Sequence, residues 1–161
     1  MKALAAKLPS RPLQAAPMAT PAPASMAAKL VVWLHPIHWY SMPALQKLWL
    51  DDVLTDGWAY GARPDAPGTA LRGKALWLVT STGGPAESYR PDGYNKYPFE
   101  AFLPPYAQTA GLCGMHFLPP LVLHGANRVS DAGLNQHADT FFTTLNTHAS
   151  GHAPWNTLPP G

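Results

Sequence analysis

Three short apolar runs, each followed by a helical pattern, constrain the fold of this chain more than any other feature. The runs cover residues 30–34, 75–79 and 117–123, and polar residues hardly interrupt them. Continuous apolar runs of this length are typical of strands buried on both faces, which occur in parallel sheets covered by helices. The β-α-β-α-β-α order predicts an α/β fold of three layers around a parallel sheet.

The first helical pattern follows the run at residues 30–34. Ser41 is the predicted N-cap, and Pro43 falls in the first turn, where its missing N–H costs nothing. The predicted apolar stripe consists of Leu45, Leu48, Trp49 and Val53. Lys47 and Asp51 are four residues apart and are expected to face water.

Two further helices are predicted downstream. One covers residues 99–113, where Pro104 and Pro105 are expected to break it near its start, and Gly114 is a C-cap candidate. The other begins at Ser130 or Asp131, and its predicted stripe is Leu134, Ala138, Phe141 and Leu145. The Pro119–Pro120 pair predicts that the third strand begins after these residues or lies at a sheet edge.

Composition divides the chain into a domain and two tails. The first 30 residues hold four of the 11 basic residues, no acidic residue, five prolines and ten alanines, so residues 1–29 are predicted to be a disordered leader. A targeting segment is the alternative for this basic, acid-free start. Residues 30–148 are the predicted domain, and residues 149–161 are a predicted disordered tail.

Several classes of function have no support in the sequence. The Lys and Arg residues are scattered, so no nucleic-acid surface is predicted, and no P-loop, dinucleotide fingerprint or Gly-x-Ser-x-Gly elbow is present. His35 and His38 lack a nearby carboxylate or cysteine, so no metal site is predicted. The single cysteine, Cys113, is expected to be a buried core residue, and a reducing, cytoplasmic location is the simpler assumption.

The carboxyl ends of the predicted strands are where an open α/β sheet binds ligands. The first strand ends in residues 35–41, where Trp39 and Tyr40 offer flat aromatic surfaces to a planar ring. The second ends in residues 80–84, where hydroxyls and two glycines let a ligand approach backbone N–H groups. The third ends in residues 124–126. The alternatives are loop-packing aromatic residues and an ordinary glycine turn.

The motifs at these strand ends resemble those of flavodoxin-like NAD(P)H:quinone oxidoreductases, and most closely the ancillary subunits of bacterial glutathione-regulated potassium-efflux systems. The matching segments are residues 34–51, 57–61, 68–74, 82–84, Tyr89, Gly93, 112–115 and 118–120. The resemblance covers residues 29–146.

This resemblance implies a five-stranded parallel sheet that binds FMN, or FAD, and transfers hydride from NAD(P)H to a quinone. By similarity, Ile37, His38, Trp39 and Tyr40 would contact the edge of the isoalloxazine ring. Ser81, Thr82, Gly83 and Gly84 would offer hydrogen bonds to its carbonyls and to the region of its N5 atom. Implied partners are a second copy in a homodimer and a membrane potassium-efflux protein, which would place the chain at the inner face of the plasma membrane.

Two further positions follow from the resemblance as catalytic candidates. Tyr89 matches a tyrosine that stabilises charge on the reduced flavin in related mammalian-type quinone reductases. Asn95 stands where those enzymes have a histidine, and an amide cannot relay a proton as an imidazole can.

The resemblance starts only at the third strand of the family order, so strands 3, 4 and 5 are recognisable and the N-terminal third, with its phosphate-binding loop, is expected to be missing. Two hypotheses follow. One is the flavin-dependent quinone reductase, and the other is a non-catalytic remnant or regulatory binding module of a potassium-efflux system.

Overall fold

The computed structural model describes residues 27–149. The predicted leader and tail lie outside this range apart from residues 27–29 and 149, so both remain predictions. The elements are β1 (Leu30–Pro36), α1 (Ala44–Val53), β2 (Ala75–Ser81), α2 (Pro104–Leu112), β3 (His116–Leu123) and α3 (Asp131–Ala149). The predicted alternation of strands and helices is confirmed.

The three strands form a parallel sheet in the order β1-β2-β3. Leu30 lies opposite Ala75 and Pro36 opposite Ser81, so the two strands end together. All seven residues of β2 are buried, because β2 has a strand on either side and helices on both faces. The loops that follow the strands therefore meet at one edge of the sheet.

The Pro119–Pro120 pair lies inside β3, which starts at His116. The register between β2 and β3 shifts between Trp77 and Val79, where two β3 residues replace one. Proline has no N–H to donate to a strand ladder, and a bulge at the outer strand accommodates it. Among the strands of residues 27–149, β3 borders only β2, so the predicted edge position is confirmed, whereas the alternative start after the prolines is wrong.

The core has one cluster on each face of the sheet. Side chains of α1 and α2, among them Leu50 and Tyr106, pack against one face. On the other face, α3 places Phe141 and Leu145 against the sheet, and Phe141 stacks on Trp77 with 5.4 Å between ring centroids. The three-layer prediction and the stripe of α3 are confirmed.

Helix α1 contradicts two predictions. Its stripe of Leu45, Leu48 and Trp49 faces outward, with Leu45 75% exposed, and Leu50 is buried instead. Ser41 does not cap the helix, because Pro43 occupies the cap position and no side chain bonds there. The helix starts too late for Ser41 to reach its first N–H groups.

Strand β1 also differs from expectation. It borders only β2 within residues 27–149, and Leu34 is 37% exposed whereas Trp33 and His35 are buried. The strand is therefore not buried on both faces along its length, because only the face toward α1 and α2 is well covered.

The remaining helix predictions hold. The stretch 99–113 is divided into a short 3-10 turn (Phe99–Phe102) and α2, with prolines in its first turn, and Cys113 is buried. Gly114 ends α2 in a left-handed conformation. Ser130 Oγ accepts the N–H of Gly133 at 3.2 Å and caps α3. Among residues 27–149, no helix is long and apolar enough to cross a membrane.

Candidate functional site

The aromatic turn, residues 38–41, begins one residue after the end of β1. His38 and Ser41 exchange backbone hydrogen bonds of 2.9 and 3.0 Å, and the two residues between them have positive φ, 50° at Trp39 and 64° at Tyr40. Such a turn usually contains Asn and Gly, because positive φ is costly for side chains. Two large aromatic residues here store backbone strain, a feature that clusters at binding sites.

The two aromatic side chains have different surroundings. Trp39 is 93% exposed, so it is held in solvent rather than packed in the core. Tyr40 stacks on Phe102 with ring centroids 5.4 Å apart. The predicted alternative of loop-packing aromatic residues therefore applies in part to Tyr40 and not to Trp39.

The glycine loop, residues 82–84, follows β2. The Thr82 hydroxyl donates to the carbonyl of Gly84 at 2.8 Å, and the Gly125 N–H donates to the same carbonyl at 2.9 Å. Within the described part of the chain, the N–H groups of Gly83 and Gly84 have no acceptor. The loop is therefore rigidly braced and offers two free backbone donors.

Tyr89 and Asn95 come from the long loop after Gly84. The Tyr40 hydroxyl donates to Asn95 Oδ1 at 3.4 Å, and the Asn95 N–H donates to the carbonyl of Ser88 at 2.9 Å. The ring of Tyr89 lies among aromatic rings, with its centroid 5.5 Å from Phe99. The aromatic turn and the long loop are thus joined.

Two adjoining clefts, which share Ile37, lie at this edge of the sheet. The smaller cleft has a volume of about 260 Å³ and is lined by Ile37, Trp39, Tyr40, Gly84, Ser88, Tyr89, Tyr94 and Asn95. The larger, of about 670 Å³, is lined by Pro36, Ile37, His38, Ser81, Thr82, Gly83, Ala126, Asn127, Val129 and Leu134. Every candidate residue predicted from the sequence lines one of the two clefts, and neither lining contains Lys, Arg, Asp or Glu.

Burial shapes the titration of two histidines near the clefts. Desolvation lowers the pKa of His124 from its ordinary value, although the carboxylates of Glu100 and Glu87 oppose this. Desolvation also lowers the pKa of His35, whose Nε2 is buried without a partner among the described residues. Both rings are therefore neutral at neutral pH.

Sequence analysis did not select several polar and aromatic residues of this region as site residues. His124 packs against both Tyr89 and Phe99, and Ser88, Tyr94 and Asn127 line the clefts. His124 directly follows β3, so its position at a strand end was the available signal. The other three lie on loops, whose paths have no periodic pattern to predict them.

Comparison with known proteins places this geometry in context. A family model described as "Flavodoxin-like fold" matches residues 16–145. The chain is 42% identical over 113 residues to the glutathione-regulated potassium-efflux system ancillary protein KefG of Serratia proteamaculans, an alignment that covers 70% of this chain and 60% of the relative. The chain therefore spans about 60% of the length of the curated relatives it matches.

Two solved structures have a similar fold. General stress protein 14 of Treponema denticola, solved in complex with FMN, is 35% identical with a TM-score of 0.68, over 77% of this chain and 68% of its own. An NADPH-quinone reductase from P. pentosaceus is 26% identical with a TM-score of 0.66, over 73% of this chain and 67% of its own.

Proposed function

Because the chain belongs to the flavodoxin-like fold family, we propose that it is an FMN-dependent NAD(P)H:quinone oxidoreductase. The observation that carries the proposal is the convergence of free backbone donors and flat aromatic side chains on two adjoining clefts. The FMN complex of general stress protein 14, a relative at 35% identity, supports the choice of cofactor.

The donor set fits a flavin ring. An isoalloxazine is planar and has carbonyl oxygens at one end, so it needs flat apolar walls and N–H donors. Ile37 and Tyr40 provide the walls, and the N–H groups of Gly83 and Gly84 provide the donors. The larger cleft is of the size that holds small-molecule ligands, roughly 300 to 1,000 Å³.

When bound, FMN would supply the transfer of hydride between NAD(P)H and a quinone. Gly83 and Gly84 would donate to ring oxygens, where backbone N–H groups stabilise negative charge as it develops. A Cβ at Gly84 would lie 3.6 Å from Asn95 Nδ2, so the amide nitrogen of Asn95 lies beside Gly84, and both residues line the smaller cleft. Asn95 would donate a hydrogen bond there without releasing a proton, and the Tyr89 hydroxyl would be the group that exchanges one.

The test is reconstitution of the purified chain. Added FMN should lose fluorescence on binding, and with oxygen excluded the complex should oxidise more than one equivalent of NADH or NADPH only when a soluble naphthoquinone is present to accept the electrons. Gly84→Leu should abolish both effects, because the new side chain enters the smaller cleft. Gly111→Leu is the matched control, since a Cβ at Gly111 has no neighbour within 4 Å. A parent chain that leaves FMN fluorescence unchanged would contradict the proposal.

We also propose a cytoplasmic homodimer. The stripe of Leu45, Leu48 and Trp49 on α1 is exposed, and a contiguous apolar patch of this kind commonly marks a protein interface. In analytical sedimentation, the double variant Leu45→Glu/Leu48→Glu should be a monomer. The control Leu112→Glu, which changes an exposed leucine of α2, should remain a dimer. A parent that sediments as a monomer would overturn the dimer.

A regulatory role at a potassium-efflux membrane protein is the second candidate function. Its support is the 42% identity to the ancillary protein KefG, which covers 70% of this chain. In this role, a Gly84→Leu chain that cannot take up flavin would still bind vesicles that contain the efflux protein. Binding that requires flavin would favour the reductase as the primary function.

A further inference from the structure

His124 contacts both the glycine loop and the long loop, which line the smaller cleft through Gly84 and Tyr89. Its Nδ1 lies 3.0 Å from the hydroxyl oxygen of Thr82 in the glycine loop. Its ring centroid lies 5.2 Å from that of Tyr89, on the long loop. The sequence motifs and the proposed function give His124 no role.

The single hydroxyl hydrogen of Thr82 determines which group donates in the hydrogen bond between His124 and Thr82. A threonine hydroxyl has one hydrogen, and Thr82 donates it to the carbonyl of Gly84 at 2.8 Å. The hydroxyl can therefore only accept from His124, so Nδ1 carries the hydrogen. Because burial lowers the pKa of His124, the ring is neutral at neutral pH and Nε2 is the unprotonated nitrogen.

The same end of β3 braces the glycine loop through its backbone. The N–H of Ala126 donates to the carbonyl of Thr82 at 2.9 Å, beside the bond from Gly125 to Gly84. Thr82 is only 2% exposed, so its hydroxyl has no solvent to replace a lost partner. The orientation of the free Gly83 and Gly84 N–H groups therefore depends on this network.

We propose that His124 is a positioning residue, which holds the glycine loop through Thr82 and the ring of Tyr89 by direct packing, and so fixes the two sides of the smaller cleft relative to each other. The proposal has two experimental readouts, and one of them, FMN binding, rests on the proposed function.

A double-mutant cycle tests the link. His124→Phe keeps a ring against Tyr89 and removes the donor, and Thr82→Val removes the hydroxyl. Each should raise the FMN dissociation constant about five- to tenfold, the effect of losing one buried hydrogen bond. Because both changes break the same network, the double variant should bind within about twofold of the weaker single variant.

His116→Phe, at the opposite end of β3, is the matched control and should bind FMN as the parent does. Thermal unfolding of each variant establishes that it is folded. The proposal would be overturned if the increase in the FMN dissociation constant of the double variant equals the product of the two single increases. A His124→Phe chain that binds FMN as tightly as the parent would overturn it as well.

The second readout needs no flavin. Nitrogen NMR of the histidine rings in the FMN-free chain should find His124 as the neutral tautomer with hydrogen on Nδ1. Hydrogen on Nε2 would overturn the proposal. If the parent chain takes up no FMN, the proposed function is contradicted but the role of His124 is not. The tautomer of His124 in the FMN-free chain then decides whether this ring donates a hydrogen bond to Thr82.

Discussion

Tyr40 donates a hydrogen bond from its hydroxyl to Oδ1 of Asn95, which is 55 residues away in the sequence. The bond joins the turn after β1 to the long loop after β2 and closes one side of the smaller cleft. Through this bond, the strained aromatic turn helps to place Asn95, a catalytic candidate.

Replacement of Trp39 by glycine tests whether the strain in the aromatic turn serves binding. Trp39 has φ of 50° and is 93% exposed, so Trp39→Gly loses little packing and removes an unfavourable backbone conformation. We expect the free energy of unfolding to rise by about 1 kcal/mol, while FMN binding weakens. Chemical denaturation and FMN titration measure the two effects.

Lys96→Gly is the control for this substitution. Lys96 also has a positive φ, 64°, and lines neither cleft, so the variant should gain stability without losing affinity for FMN. Equal affinity for FMN in the parent and in Trp39→Gly would contradict a binding role for Trp39.

A methyl group at Gly93 should disrupt the long loop. A Cβ there would lie 2.5 Å from the carbonyl oxygen of Glu87 and 2.7 Å from that of Ser88, so backbone has to move. We expect Gly93→Ala to lose roughly 1 to 3 kcal/mol of stability, as overpacked sites do. FMN affinity should fall with it, because the displaced segment carries Tyr89 and Asn95.

Gly111→Ala provides the comparison, since a Cβ at this position of α2 meets no atom within 4 Å. It should gain about 0.5 to 1 kcal/mol, the advantage of alanine over glycine in a helix. Urea denaturation measures both variants, and an undiminished stability of Gly93→Ala would show that the loop adapts.

Tyr94 is expected to contact the quinone. Its side chain is 86% exposed and lines the smaller cleft, whereas Tyr97 is exposed and lines neither cleft. Tyr94→Ala should raise KM for a naphthoquinone about tenfold at nearly constant kcat, as loss of one aromatic contact would. Tyr97→Ala should leave both constants unchanged. The same KM increase in both variants would contradict a specific contact.

Stability should fall on acidification because of His35. This ring is buried, and burial lowers its pKa, so below the ordinary histidine value the unfolded chain takes up a proton that the folded chain does not. The free energy of unfolding should therefore decline below about pH 6.5, by at most about 1.4 kcal/mol per pH unit for this one group.

His35→Phe should make that decline shallower. Phenylalanine preserves a ring beside Tyr106, whose centroid lies 5.7 Å from that of His35, and cannot bind a proton. Part of the decline in the free energy of unfolding with falling pH should remain, because burial also lowers the pKa of His124 and His137. Denaturation of the parent and the variant across this pH range measures the difference, and identical slopes would exclude His35 as a source.

Which face of α1 is buried could not be read from the sequence. Leu45, Leu48 and Trp49 recur at helical spacing, yet they face outward and Leu50 is buried. Periodicity shows that an apolar stripe exists, but not what covers it, and in α1 one apolar residue outside the stripe reaches the core.

The apolar runs by themselves predicted three parallel strands, because continuous runs of this length are typical of strands covered by helices, whereas the strand order was observed only in the folded sheet. The rule that ligands bind at strand ends, with the family resemblance, selected the residues that line the clefts. Only the tertiary structure decided that Trp39 is held in solvent, that Tyr40 reaches Asn95, and that His124 braces Thr82. These contacts join residues from different loops, and side-chain partners so far apart in sequence are fixed by packing rather than by any local pattern.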